Sequence, residues 1–338
     1  MKTKISEVQQ LPQATAVIPL VPLATTAMEP ARQVEVEGRL RVTKAYKMFI
    51  GGAFVRSESG RYFQVASSLA GAARQDPSLD ADPPTVNVPR GSRKDVRDAV
   101  LAAKSAYDKW RARTPFNRGQ ILYRLAEVIE SRSEELVRSL ERSGASPDEA
   151  GREVATAVDR AVFYAGFCDK FSSLVASHNP VSGPHFGFSL PEPMGVIALL
   201  APPRPALLGM LSVVLPVIAG GNTVVALASS VDPRTVVLLC ECLATSDLPG
   251  GVVNVLTGYA DEMAPTCAKH REVLGIDAWT DTEGLRSLLE REGADSVKRV
   301  KTHAVMDAEL WYDDRVGQGI GWIERFLETK TVWHPVGV

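Results

Sequence analysis

Val96, Val100, Ala103, Tyr107 and Trp110 recur at the three- and four-residue spacing of one helix face, and Ser92 with Asp95 supplies the capping pair that opens it. A second helix is predicted over residues 117–143, where Ile121, Leu122, Leu125, Val128, Ile129, Leu136, Val137 and Leu140 form the apolar stripe and Gly144 ends it. A third runs from about residue 147 to 176, burying Val154, Val158, Val162, Phe163 and Phe167 and turning Glu149, Arg152, Glu153 and Arg160 to water. Upstream, Gly51-Gly52 between short apolar runs predicts a hairpin, and residues 62–65 a further strand.

After Asn179-Pro180 the period changes. Phe186, Phe188 and Leu190 alternate as in a half-exposed strand. Continuous apolar runs at 195–200, 223–227 and 252–256 then read as buried strands, separated by helices over 206–219 and 232–244. Connections this short between such runs imply an α/β fold, a Rossmann-like doubly wound parallel sheet. Residues 1–44 carry no sustained period and are expected to be a flexible extension, and Asp76-Pro77 and Pro83-Pro84 mark residues 70–84 as a loop. The apolar run 17–28 is broken by Pro19 and Pro22, which argues against a secretory core.

Composition narrows the partners. Acids and bases nearly cancel, to a net charge of −2, and are spread along the chain, so neither nucleic acid nor an anionic membrane is expected to bind. The four cysteines, Cys168, Cys240, Cys242 and Cys267, show neither a disulfide framework nor metal-ligand spacing, which fits a reducing cytoplasm and no metal.

Glu192-Pro-Met-Gly-Val-Ile, Ala219-Gly-Gly-Asn-Thr and Leu248-Pro-Gly-Gly-Val-Val-Asn-Val-Leu-Thr-Gly258, in that order and spacing, resemble the aldehyde dehydrogenase superfamily. Phe49-Ile-Gly-Gly, Tyr107-Asp-Lys-Trp and Lys330-Thr-Val-Trp-His-Pro are similar to its two ends. The resemblance divides the chain into the extension 1–44, a NAD(P)-binding domain over 45–300 with an oligomerisation arm at 178–190, a linker over 301–319, and a carboxy-terminal oligomerisation strand over 320–338. It skips the family's central catalytic domain, and with it the nucleophilic cysteine and the general-base glutamate.

The chemical positions that remain depart from the family pattern. Arg204 stands where the resemblance puts the oxyanion asparagine, and Leu227 where it puts a lysine for the adenine ribose. Asp281, between Thr280 and Thr282, takes the place of a glycine in the pyrophosphate turn, with Asp277 and Glu283 adding charge, although Thr280 or Asp281 could equally cap the following helix. Gly258 completes a vestigial cofactor site, where NAD or NADP is the only ligand implied and tight binding is not expected. Cys267, close to Lys269 and His270, is the one candidate for a substitute nucleophile, but no base-plus-orienter arrangement accompanies it.

What survives is the assembly apparatus. Phe186, Phe188, Val332, Trp333 and His334 would be unstable on an isolated arm, so a partner is expected to cover them. The resemblance therefore implies a catalytically inactive subunit of a full-length aldehyde dehydrogenase paralogue, with a homo-oligomer as the other arrangement. The alternatives are an active NAD(P)-dependent aldehyde oxidoreductase or a nucleotide-binding module without chemistry.

Overall fold

The computed structural model describes residues 44–66 and 85–337, so the expected extension, apart from Lys44, and the expected loop at 70–84 lie outside the described residues. The hairpin forms from β1 (Met48–Ile50) and β2 (Ala53–Val55), and β3 (Tyr62–Ala66) pairs antiparallel with β4 (Thr85–Pro89). Helix α1 (Arg93–Arg111) starts on the predicted capping box, Ser92 accepting from the Asp95 amide while the Asp95 carboxylate accepts from the Ser92 amide.

The long second helix is two. α2 (Pro115–Ser131) and α3 (Ser133–Arg142) meet at Arg132, where the Ser131 hydroxyl bonds back to the Val128 carbonyl at 2.8 Å and competes for a helical acceptor. The third is also divided, into α4 (Pro147–Phe167) and the short α5 (Phe171–Val175). Hydrophobic period alone does not reveal such breaks, because the apolar stripe continues across both.

Then come β5 (Ser177–Asn179), β6 (His185–Pro193), β7 (Val196–Leu200), α6 (Ala206–Ala219), β8 (Thr223–Leu227), α7 (Arg234–Ala244) and β9 (Val253–Leu256). They are followed by α8 (Ala260–Lys269), β10 (Val273–Trp279), α9 (Glu283–Ala294) and β11 (Arg299–His303). The main sheet has seven strands in the order β11-β10-β7-β8-β9-β1-β2, parallel from β11 to β9 and antiparallel beyond. Its parallel part is the doubly wound sheet expected, with side chains buried on both faces. Ile197, Leu199, Val224, Ala226, Val253 and Val255 pack with α2, α4, α6 and α7, whereas Val196, Ala198, Leu200, Val225, Leu227 and Leu256 pack with α1, α8 and α9. The chain runs outward from β7 through β8 to β9, then returns through α8 to β10 on the other side of β7. The order of winding therefore reverses between β7 and β10.

The linker expected over 301–319 is corrected. Residues 301–303 belong to β11, and beyond them a 3-10 turn (Ala308–Trp311) buries Trp311 completely. Helix α10 (Ile320–Glu324) and β12 (Leu327–Pro335) follow and are the last elements among the described residues. One face of β10 receives this last segment side chain by side chain: Phe326 lies against Gly275, Arg325 pairs with Asp277, and Trp322 stacks on Trp279. A Cβ on Gly275 would meet the Phe326 ring at 2.7 Å, so the absence of a side chain there is what admits the phenylalanine.

The arms pair with each other. β12 runs antiparallel to β6 over its whole length, and β5 lies on the far side, giving a three-stranded sheet β12-β6-β5. The closing strand thus finds its first partner in its own chain.

Candidate active site and arm surface

In a doubly wound sheet, ligands bind beyond the carboxyl ends of the strands where the winding reverses. Here that crevice lies between the loop after β7 (Ala201 to Pro205) and the loop after β10 (Thr280 to Thr282).

On the first side, Arg204 is exposed and joined to Pro205 by a cis peptide, and α6 begins at Ala206. The first free amides of α6 are already taken. Glu153, from α4, accepts from the Leu207 and Leu208 amides at 2.7 and 3.1 Å and is buried rather than facing water. A carboxylate therefore occupies the helix end that could otherwise attract an anion. Burial raises the Glu153 pKa above the ordinary carboxylate value, outweighing the two amide bonds and the charge of Arg204. A group raised in the folded state contributes stability below its unfolded pKa and loses it as pH rises through the folded value. Glu153→Gln, which keeps an acceptor for both amides, is thus expected to be more stable relative to the parent at pH 7 than at pH 4, as read from thermal unfolding at the two pH values.

On the second side, α9 has Thr282 at its N-cap and no side-chain cap, contrary to the alternative that Thr280 or Asp281 caps it. Thr280 accepts from the Thr282 amide at 3.2 Å, and Asp281 turns away to accept from the Val305 amide at 2.9 Å. Asp281 thereby ties the segment after β11 to the loop after β10. Asp277, expected to add charge here, is instead buried on the opposite side of β10, at 2% exposure, bonded to His303 Nε2 at 2.8 Å and Arg325 Nη1 at 3.0 Å.

Leu227 ends β8 inside the second core cluster at 2% exposure. It offers no hydrogen bond to a ribose hydroxyl. Gly258, at φ +136°, has its Cα side pressed on the backbone of Gly91, where an added Cβ would meet the amide nitrogen at 2.8 Å. That glycine serves the contact between the β4–α1 turn and the loop after β9. A nicotinamide dinucleotide would therefore find an uncapped α9 end that opens on the acidic Glu283, an apolar Leu227 and an α6 terminus already satisfied. The residues present do not fit tight NAD or NADP binding.

The four thiols are all buried. Cys267 is 0% exposed, and desolvation pushes its thiol up to about 12. Burial likewise takes Cys168 to about 12 and Cys242 to about 11, and raises Cys240 further. A nucleophile needs thiolate and access, and Cys267 has neither. Its sequence neighbours do not help, since Lys269 pairs with Glu292 at 3.4 Å and burial lowers the pKa of His270.

The arm residues sort onto two faces. Residues directly opposite in an antiparallel pair share a face, so Phe186, Phe188 and Leu190 lie with His334, Val332 and Lys330, while Trp333 lies opposite Gly187 on the other side. Phe186 is 47% exposed, and its ring stands 5.7 Å from that of Phe188 and stacks on His178 at 5.0 Å. The second face is polar: Ser189 links Thr331 at 2.8 Å and Asn179 at 2.7 Å, and Trp333 stands at 61% exposure beside His185.

Sequence reading missed the buried roles of Glu153, Arg160 and Asp277. The only signal for them was that Glu153 and Arg160 stand seven apart on α4, one heptad along a single face.

The family model described as "Aldehyde dehydrogenase family" matches residues 72–304. Hydroxyisobutyraldehyde dehydrogenase of Mycolicibacterium austroafricanum is 28% identical over 263 residues, 78% of this chain and 49% of that protein. Omega-crystallin of Enteroctopus dofleini is 28% identical over 261 residues, 76% of this chain and 50% of its own. Among solved structures, PnpE in complex with nicotinamide adenine dinucleotide superposes with a TM-score of 0.69 at 27% identity, covering 77% of this chain and 50% of that one. The chain spans about half the length of the curated relatives it matches.

Proposed function

The chain belongs to the aldehyde dehydrogenase family, and from that premise we propose that it is a catalytically silent subunit that assembles with a full-length aldehyde dehydrogenase through its arm sheet. The observation that carries the reading is the contrast between a chemical site with no reachable thiol and an arm that keeps an apolar face in water. Contiguous exposed apolar surface on an ordered sheet marks a contact site. In the same chain, Arg204, Leu227 and Asp281 each replace a group that chemistry or cofactor binding would need, and each has a local structural setting of its own.

The activity of the family is oxidoreduction of aldehydes with a nicotinamide cofactor, and the proposal assigns this chain support of that reaction in a partner. Among the described residues, no helix is long and apolar enough to cross a membrane. A complex in the cytoplasm accords with the reduced cysteines.

The purified chain, given NAD or NADP and a panel of aldehydes, is expected to yield no NADH or NADPH, and iodoacetamide at pH 8 is expected to label none of its four thiols until the protein is unfolded. Cofactor titration by calorimetry should show binding no tighter than about 1 mM, near −4 kcal/mol. Co-expressed with a full-length aldehyde dehydrogenase, the chain should co-purify with it, and Phe186→Asp with Phe188→Asp should abolish that association. Steady turnover by the chain alone, lost in Cys267→Ala, would overturn the proposal.

A further inference from the structure

A hollow of about 490 Å³ opens beside the small β3–β4 sheet. All five residues of β4 line it whereas β3 contributes only Tyr62, so it runs along the outer edge of β4, between that edge, residues 44–46 and the turn from Arg56 to Arg61. The register decides which backbone groups face it. The Arg90 amide donates to the Arg61 carbonyl at 2.9 Å and continues the β3–β4 ladder, so Val88 and Val86 exchange hydrogen bonds with β3 while Thr85, Asn87 and Pro89 turn outward. Pro89 has no amide hydrogen, and its carbonyl is taken by the Thr257 hydroxyl at 2.7 Å. Thr85 and Asn87 are exposed, and among the described residues no strand pairs with them. Unpaired N–H and C=O groups on a strand edge are a template for another strand.

The charges around this edge have one sign. Lys44, Arg56 and Arg61 line the hollow, and no carboxylate does. Lys44 is engaged by Glu241 at 2.7 Å, but Arg56 has no hydrogen-bond or ion-pair partner among the described residues, and the Arg61 guanidinium reaches only the Ser59 hydroxyl, at 3.5 Å. Nearby acids are committed elsewhere: Glu58 pairs with Lys94 at 3.0 Å, and Glu262 pairs with Arg90. Two guanidiniums free of carboxylate partners set a positive potential over the open edge. Tyr62, 60% exposed, adds an aromatic face beside them.

We propose that this edge binds an extended acidic segment of a partner protein by strand addition. A small anion would satisfy the guanidiniums but not the outward carbonyls of Thr85 and Asn87, which need donors. An apolar strand would satisfy those backbone groups and leave Arg56 and Arg61 unpaired. An extended acidic peptide does both, its backbone exchanging hydrogen bonds with β4 and its carboxylates pairing with the two arginines. The same edge of a second copy is a poorer fit, because it would bring two further arginines against these. Since the Pro89 end is closed, the paired stretch is short and much of the attraction is electrostatic. The groove belongs to a different sheet from the arm, so it stands apart from the functional reading above.

The probe is a fluorescein-labelled, amidated peptide of three glutamate-valine repeats, whose anisotropy should rise on titration with the full-length chain. Raising salt from about 50 to about 500 mM should weaken binding several-fold. The matching lysine-valine peptide should not bind. Neither should a glutamate-valine peptide methylated on every backbone nitrogen, which keeps the charge and loses the donors; a plain anion site would hold it equally well. Arg56→Ala with Arg61→Ala changes only exposed side chains, and Asn87→Pro removes one outward amide while leaving the ladder to β3 intact. Each should weaken binding about tenfold or more, with an unchanged far-ultraviolet circular dichroism spectrum. A parent that ignores the glutamate-valine peptide, equal affinity for its methylated or lysine form, or unchanged binding in either variant would overturn the proposal. So would a dimeric parent that Asn87→Pro converts to a monomer, since that would give the edge to a second copy. The variant carrying Phe186→Asp and Phe188→Asp should bind the peptide as the parent does, so failure of either reading leaves the other standing.

Discussion

Arg160→Leu is expected to destabilise the protein by about 3–5 kcal/mol in urea unfolding. The Arg160 guanidinium is 1% exposed and bonds no carboxylate: it donates to the Ser212 hydroxyl at 2.6 Å, to the Trp311 carbonyl at 2.8 Å and to the Gly317 carbonyl. Leucine fills much of the same volume but leaves those buried acceptors without a donor, each at a cost of about 1–3 kcal/mol. The loss should also be local. Trp311 and Gly317 belong to the segment between β11 and α10, so trypsin is expected to cut at the exposed Arg315 well before the rest of the chain, which the parent should resist. Arg160→Lys keeps the charge but not the planar fork that spans two carbonyls and a hydroxyl, and should recover less than half of the lost stability.

Asp277→Ala should cost a similar amount, about 3–5 kcal/mol, because it removes the one carboxylate shared by His303 and Arg325. Arg325 would be left part-buried with only its stacking on Trp322, at 4.4 Å from the ring centroid. Asp277→Asn retains an acceptor and a shape, and is expected to fall between alanine and the parent in the same urea titration. Equal stabilities for all three would show that the segment after β11 does not depend on this pair. The Trp279 ring, stacked on His303 at 4.2 Å and on Trp322 at 5.7 Å, offers a fluorescence signal for the same opening.

Much of the fold could be read from hydrophobic period, because strands buried on both faces write themselves as unbroken apolar runs. Residues 206–219 and 223–227 match α6 and β8 at both ends for this reason. The capping box at Ser92 and the Gly51-Gly52 hairpin were legible because each is a local device whose residues are adjacent in sequence. What failed was whatever depended on distant packing. The breaks at Arg132 and after Phe167 leave the apolar stripe intact, and Glu153 and Arg160 look like ordinary solvent-facing charges until α6 and residues 311–317 are placed over them. Residues 301–319 read as a linker, yet Trp311 anchors them. At the candidate site, the family resemblance located the loops after β7, β8 and β10, and only three-dimensional packing showed that Asp277 faces away from them and that Cys267 is sealed.

The pairing of β6 with β12 has a consequence for how the protein is made. As the ribosome advances, His185 to Pro193 emerge long before Leu327 to Pro335, so β6 leaves the exit tunnel with only the three-residue β5 beside it. At about 5–20 residues per second, translation of the intervening chain takes several seconds or more. Throughout that interval Phe186, Phe188 and Leu190 stand on a strand still lacking its main neighbour, exposed to chaperones or to other nascent chains.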